Sequence, residues 1–290
     1  MSLHPGSGQM KRIEFIGAPL THARTPTILN PILEAEKADL RVVCRETDER
    51  QLPAYFAAVR QDQDVIGLVV TTPLKRAIRA HLDQRTDLVR LTGSSNCVRF
   101  DEGVAIGANF DGVGLALAML QAGLSPTGRT ILLCGCGGAG AAIACALAAF
   151  EGVSLSIHDP EQATTADFVR RLRAFAPAAL VAAVAQPSGA FDILINASPV
   201  GMEPDDPLAI PGPLVERASA VVDIVAAPAT RLRSLALAQG KTVVAGQAMV
   251  RAQALLLRRF LCSRAMSEAE TMRDEGVTGI PGWPEPHPAR

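Results

Sequence analysis

Thr130-Ile131-Leu132-Leu133-Cys134-Gly135-Cys136-Gly137-Gly138-Ala139-Gly140 decides the fold, and the Ala-rich run that continues to Phe150 completes it. A β-type run leads into a turn, and a helix-forming run leaves it. Gly135, Gly137 and Gly140 stand at the first, third and sixth places of the turn, as in the dinucleotide fingerprint. Gly135 permits the tight turn, Gly137 lets backbone approach a pyrophosphate, and Gly140 lets helix and strand pack closely. Gly138 and Ala139 open a helix whose free N–H groups and partial positive charge face the phosphates. Residues 130–150 carry no charge and are long enough to span a bilayer. The glycines interrupt them, so strand, turn and buried helix is the better reading, and no membrane partner is expected.

Downstream, the next β-type run ends at His158-Asp159-Pro160, about 20 residues past the glycines, where an acidic side chain accepts hydrogen bonds from ribose hydroxyls. Asp159 also repels a 2′-phosphate, and no Lys or Arg follows it until Arg170. NAD is therefore expected in preference to NADP. A purely structural task for Asp159 is to cap a helix that starts through Pro160. Further β-type runs fall at 180–184, 192–195, 221–224 and 242–244, with helical runs at 138–150, 166–175 and 230–239. Repeated βαβ units imply a parallel sheet covered on both faces, and the fold class is α/β.

Upstream, 12–16, 40–44 and 65–70 read as strands, and 26–36 and 52–61 as helices between them. A hairpin is expected over 96–100 and 104–106, around Asp101-Glu102-Gly103, and then a helix over 111–122. The chain closes with a helix over 247–261 and a tail, 263–290, read as a short helix or disordered.

Composition narrows the function. The chain has 290 residues, 48% hydrophobic and 20% charged, with a formal net charge of -1. That is a globular composition without the basic stripe that nucleic acid requires. The six cysteines, Cys44, Cys97, Cys134, Cys136, Cys145 and Cys262, have no disulfide spacing. Cys134 and Cys136 have no second pair to complete a zinc site, so no metal is expected. Met1–Met10 does not read as a signal peptide, and a cytoplasmic protein with reduced thiols is expected.

Five further motifs stand in order. Val69-Val70-Thr71-Thr72-Pro73-Leu74-Lys75 closes a buried strand and enters a helix, and Gly93-Ser94-Ser95-Asn96-Cys97 precedes the hairpin. Gly107-Ala108-Asn109-Phe110-Asp111-Gly112 follows the hairpin, and Asn196-Ala197-Ser198-Pro199-Val200-Gly201-Met202 follows a later strand. Gly246-Gln247-Ala248-Met249 leads to Gln253. Together, from about Ile13 to Leu261, they resemble the shikimate dehydrogenase family, including its quinate/shikimate members. The resemblance implies a substrate domain of residues 11–110 with 246–262, a Rossmann domain of residues 111–245, and a cleft between them. It implies a nicotinamide-dependent oxidoreductase acting on shikimate, quinate or a similar hydroxylated cyclic carboxylate, as a monomer or homodimer.

The family's catalytic Lys and Asp fall on Lys75 and Asp111. An ammonium beside a ketone stabilises the negative charge that hydride addition creates and supplies the proton; a carboxylate orients it. Thr25, Thr71, Asn96, Asn109 and Gln253 match positions that bind substrate hydroxyls and carboxylate. Asn196, Ser198, Val200, Met202, Val225 and Gly246 match positions beside the nicotinamide, joining Gly135, Gly137, Gly138, Ala139, Gly140 and Asp159 as cofactor residues. The sequence departs from the family pattern at Ala23, Val69, Cys97, Phe110 and Ala226, where polar groups are usual. These departures are expected to cluster at the substrate, marking a divergent member, with Arg24 a possible substitute partner for a carboxylate. Rival readings are a non-catalytic NAD- or metabolite-sensing protein and a methylene-tetrahydrofolate dehydrogenase. A single Trp and a single Tyr fit the pterin pocket of the second poorly.

Overall fold

The structure, a computed structural model, describes residues 10–21, 24–263 and 266–274. The chain opens with β1 (Lys11–Gly17), α1 (Thr25–Ala35), β2 (Leu40–Glu46), α2 (Leu52–Val59) and β3 (Val65–Val70). Then come α3 (Leu74–Ala77), β4 (Gln84–Arg85), α4 (Asp87–Thr92) and the hairpin of β5 (Cys97–Asp101) and β6 (Val104–Ala108). These strands form one sheet in the order β2-β1-β3-β5-β6-β4. β1 runs parallel to β2 and β3, and β5 pairs antiparallel with β3. Asn30 on α1 both donates to and accepts from the Val42 backbone, at 3.1 and 2.8 Å, which satisfies part of the edge strand β2.

α5 (Asp111–Gln121) leads into a second sheet. Its elements are β7 (Thr130–Cys134), α6 (Gly138–Ala148), β8 (Ser154–His158), α7 (Gln162–Phe175) and β9 (Leu180–Ala183). β10 (Ile193–Asn196), α8 (Gly212–Arg217), β11 (Ala220–Asp223), α9 (Arg231–Ala238) and β12 (Thr242–Ala245) complete it. All pairings are parallel, in the order β12-β11-β10-β7-β8-β9. The order reverses between β7 and β10, and in doubly wound sheets ligands bind at the strand ends there. The glycine turn after β7 and Asn196 at the end of β10 both lie at that point.

α10 (Gly246–Cys262) returns to the first sheet, and α11 (Glu268–Asp274) follows. α5 is pressed between α6 and α10. A Cβ on Gly112 would lie 2.1 Å from the Ala142 carbonyl oxygen of α6, and one on Gly114 2.7 Å from Gln253 Cβ of α10. Small residues therefore let the two layers approach through one helix.

The long elements fall where expected. The Val69–Lys75 motif reads as a strand that enters a helix, and α3 starts at Leu74; β4, α4 and α8, all short and without a full period, are not in the sequence reading. For α4 the signals were present: Thr86 accepts from the Val89 N–H at 3.4 Å, and Gly93 ends the helix at φ 69°. α7 starts at Gln162, a turn before the expected Ala166, and the Thr165 hydroxyl bonds back to the Glu161 carbonyl at 3.0 Å. Of the expected tail, residues 268–274 form α11, with Met272 in the apolar cluster of Ile13, Leu29 and Phe260; residues 275–290 lie outside the described residues. Among the described residues no helix is long and apolar enough to cross a membrane.

Candidate active site

Lys75 sits in the single turn of α3, just past the end of β3, and its Nζ donates to Asp111 Oδ2 at 2.6 Å. Asp111 is the first residue of α5, so its carboxylate also meets the positive end of that helix. Its side chain is 2% exposed and that of Lys75 14%, so Lys75 is the more accessible member of the pair. Asn96 Nδ2 donates to the other Asp111 oxygen at 2.9 Å and to Gln253 Oε1 on α10 at 3.2 Å. Asn96 Oδ1 accepts from the Phe110 N–H at 2.9 Å. Asn109 Oδ1 accepts from the Asp111 N–H at 3.0 Å, while its Nδ2 donates to Ser94 Oγ at 3.0 Å.

The amides of Asn96 and Asn109 are thus engaged on both sides by the protein itself. Gln253 uses its oxygen for Asn96, and its Nε2 has no partner among the described residues. Of these interlinked side chains, Lys75 with its remaining donors and Gln253 with its Nε2 are the ones left to meet a ligand.

The glycine turn lies directly against this pair. A Cβ on Gly138 would stand 3.0 Å from Lys75 Cβ and 3.2 Å from Ser94 Cβ. Ser94 Oγ donates to the Gly138 carbonyl at 2.9 Å, and Arg76 donates to the Cys136 carbonyl at 2.7 Å. Ser94 and Arg76 are therefore site residues that sequence reasoning did not single out. Ser94 was within a quoted motif, whereas nothing marked Arg76.

The turn has the shape a dinucleotide needs. Gly135 has φ +100°, and a Cβ on it would fall 2.5 Å from the Ser198 nitrogen. A Cβ on Gly140 would fall 2.0 Å from the Gly135 carbonyl oxygen, whereas one on Gly137 would meet nothing within 4 Å. Gly135 and Gly140 thus serve packing, and Gly137 borders open space. Asp159 accepts from the Cys136 N–H at 2.6 Å and the Glu161 N–H at 2.9 Å, tying the turn to the start of α7. Burial pushes the Cys136 thiol up to about 11, so it stays protonated.

On the other side of the switch point, Asn196 donates to the Val200 carbonyl and to Asp223 Oδ1, both at 3.0 Å, and accepts from Ser198 Oγ at 2.6 Å. Asp223, wholly buried, also accepts from the Val225 N–H at 3.2 Å and from Thr230. One carboxylate therefore fixes the segments containing Ser198, Val200 and Val225. Gly246 packs against the Ile224 carbonyl, 2.4 Å from its would-be Cβ, and Met202 lies partly exposed beyond them.

The departures from the family pattern do not cluster as expected. Val69, Cys97 and Phe110 are buried in one apolar cluster with Ile13 and Phe15, and the Phe110 ring meets Phe260 edge-on at 5.6 Å. These side chains serve the core. Ala226 is exposed beside the Asp223 network, and Ala23 lies outside the described residues. Thr25 is buried at the start of α1, Thr71 is half-buried after β3, and Arg24 is exposed. Among the described residues no group of three or more His, Cys, Asp or Glu side chains is arranged to hold a metal ion.

Comparison with known proteins converges on one family. Residues 15–98 match the shikimate dehydrogenase substrate binding domain. A protein of Rubrobacter xylanophilus named shikimate dehydrogenase (NADP(+)) is 31% identical over 265 residues, covering 89% of this chain and 93% of that protein. The structure of shikimate 5-dehydrogenase from Thermus thermophilus, in complex with NADP(H) and shikimate, superposes with a TM-score of 0.76 at 26% identity. It covers 92% of this chain and 99% of its own. A 5-ketofructose reductase of a Gluconobacter species superposes with a TM-score of 0.74 at 25% identity, covering 93% of this chain and all of its own.

Proposed function

The chain belongs to the shikimate dehydrogenase family, and from that membership we propose an NAD-preferring oxidoreductase acting on a ring hydroxyl or ketone of shikimate, quinate or a similar hydroxylated cyclic acid. The observation that carries this reading is the Lys75–Asp111 pair, 2.6 Å apart and packed against the glycine turn. A bound nicotinamide supplies or accepts the hydride, and the chain supplies position, charge and a proton.

Lys75 places its free N–H groups against the reacting oxygen. It stabilises the charge that develops there and gives up a proton in reduction, or takes one in oxidation. Asp111 keeps Lys75 aimed, and Asn96 keeps Asp111 from rotating. Gln253 Nε2, Thr25 and Thr71 are the proposed partners of the remaining substrate oxygens. Asn109 supports Asp111 through the backbone. The substrate unit is taken as residues 11–110 with 246–262, and residues 111–245 as the cofactor unit.

Asp159 at the end of β8 supports NAD, although the curated relative is named for NADP(+). A 2′-phosphate there would face a carboxylate, with no Lys or Arg in the following residues before Arg170. The Gluconobacter neighbour keeps the substrate class broader than shikimate, because a polyhydroxy ketone presents the same ketone and hydroxyl groups.

Initial-rate oxidation of shikimate and quinate, and reduction of polyhydroxy ketones, each with both coenzymes, tests the proposal. The expected result is turnover of at least one cyclic acid with higher kcat/KM for NAD. A higher value with NADP removes the coenzyme claim. Binding of NAD without turnover of any substrate favours a sensor.

A further inference from the structure

Glu268 lies outside every motif used above, yet it reaches the centre of the site. It is the first residue of α11, 5% exposed, and accepts a hydrogen bond from the Asn109 N–H at 2.6 Å. Asn109 in turn accepts from the Asp111 N–H at 3.0 Å, and Asp111 holds Lys75 at 2.6 Å. We propose that Glu268 is a positioning residue for Asp111, so that α11 sets the geometry of the Lys75–Asp111 pair. The proposal rests on the reading of that pair as catalytic.

The chain around Glu268 is anchored independently. Arg99 on β5 donates to the carbonyls of Phe260, Ser263 and Met266, at 3.1, 3.0 and 2.8 Å, stitching the end of α10 to the start of α11. Met272 packs into the core of the first sheet. α11 is thereby held without Glu268. A residue needed only to fill this space would be apolar or an amide, since burying a lone carboxylate is costly.

The groups facing the carboxylate are the Asn109 N–H, the Thr86 hydroxyl and, at longer range, Asp87 on α4. The thiols of Cys97 on β5 and Cys145 on α6 also feel it. Arg99, the cation that holds the preceding Met266, pairs with Asp101 at 3.8 Å. Burial, opposed by the Asn109 and Thr86 bonds, pushes the Glu268 carboxyl up to about 7. Near neutrality it therefore exchanges between a charged acceptor, which holds the Asn109 N–H strongly, and a neutral one, which holds it less.

A structural role and a positioning role predict opposite relations between stability and rate. Because the folded-state value lies above the ordinary 4.5, ionising Glu268 costs stability as pH rises through about 4.5–7. Glu268→Gln keeps an acceptor and removes that cost. At pH about 8 it is expected to melt at or above wild type, yet to show a kcat lower by about threefold to tenfold. Wild-type kcat should rise through pH about 7, and Glu268→Gln should lose that rise with coenzyme KM unchanged. Glu268→Ala, without an acceptor, should fall further.

Amide exchange of the peptide spanning residues 107–113, read by mass spectrometry, is measured alongside and needs no turnover. It should quicken in Glu268→Gln at pH about 8. An inactive wild type would sink the catalytic reading while exchange still tests the positioning. Unchanged exchange, or a melting temperature and kcat that fall together with the pH profile intact, overturns the proposal.

Discussion

Asp111 meets any ligand already committed, with both carboxylate oxygens and its own N–H held by Lys75, Asn96 and Asn109. Asp111→Asn keeps the shape and removes the charge that aims Lys75. A fall in kcat of about a hundredfold or more is expected, with a smaller loss of thermal stability, because Lys75 is left without its charge partner. Steady-state rates beside a melting curve check it; equal losses of both would mean that Asp111 is structural. Asp159→Asn keeps an acceptor for the Cys136 N–H and removes the repulsion toward a 2′-phosphate. The NADP/NAD ratio of kcat/KM should rise on the order of tenfold. Lys75 and Asp111 were legible because motif order fixes them. Val69, Cys97 and Phe110 were misassigned to the substrate because spacing along a strand or loop does not say which side chains turn to the core. Glu268 was not legible at all, since its partner is a backbone N–H 159 positions away.

Among the elements, the glycine turn separates two tasks that one motif conflates. Gly140→Ala would push a Cβ to within 2.0 Å of the Gly135 carbonyl, so backbone must move, costing about 1–3 kcal/mol of stability. A Cβ at Gly137 meets nothing within 4 Å, so Gly137→Ala should leave stability within about 1 kcal/mol while weakening NAD binding. Denaturant melts and coenzyme titration of both variants test this. Tight NAD binding by Gly137→Ala would show that the pyrophosphate does not pass there. Long elements were readable from their period, and the glycines from their strand–turn–helix context. α3, α4 and α8 are one or two turns each, too short for a period, and exist through tertiary support.

The whole molecule is two sheets joined through α5 and α10, with Lys75 just past a strand of one and the glycine turn at the end of a strand of the other. α11 adds a third tie from beyond the matched motifs. Its carboxylate links overall stability to pH. With Glu268 at about 7 when folded and near 4.5 when unfolded, unfolding free energy should fall by up to about 3 kcal/mol as pH rises from 5 to 8. Glu268→Gln should flatten that part of the profile; identical profiles would contradict the assignment. The alternation of strands and helices in the sequence implies two α/β series, and the structure has two six-stranded sheets. That Glu268 on α11 would bond the Asn109 N–H just before α5 depends on packing, which no local pattern records.

The most direct measurement is single-turnover oxidation of shikimate and of quinate by wild type and by Lys75→Ala, with NAD affinity determined for both. The account predicts turnover of at least one acid by wild type, a loss of about a thousandfold in the rate for Lys75→Ala, and NAD affinity unchanged within about twofold. Turnover that survives in Lys75→Ala would contradict it, because the Lys75–Asp111 pair would then not be the reacting centre.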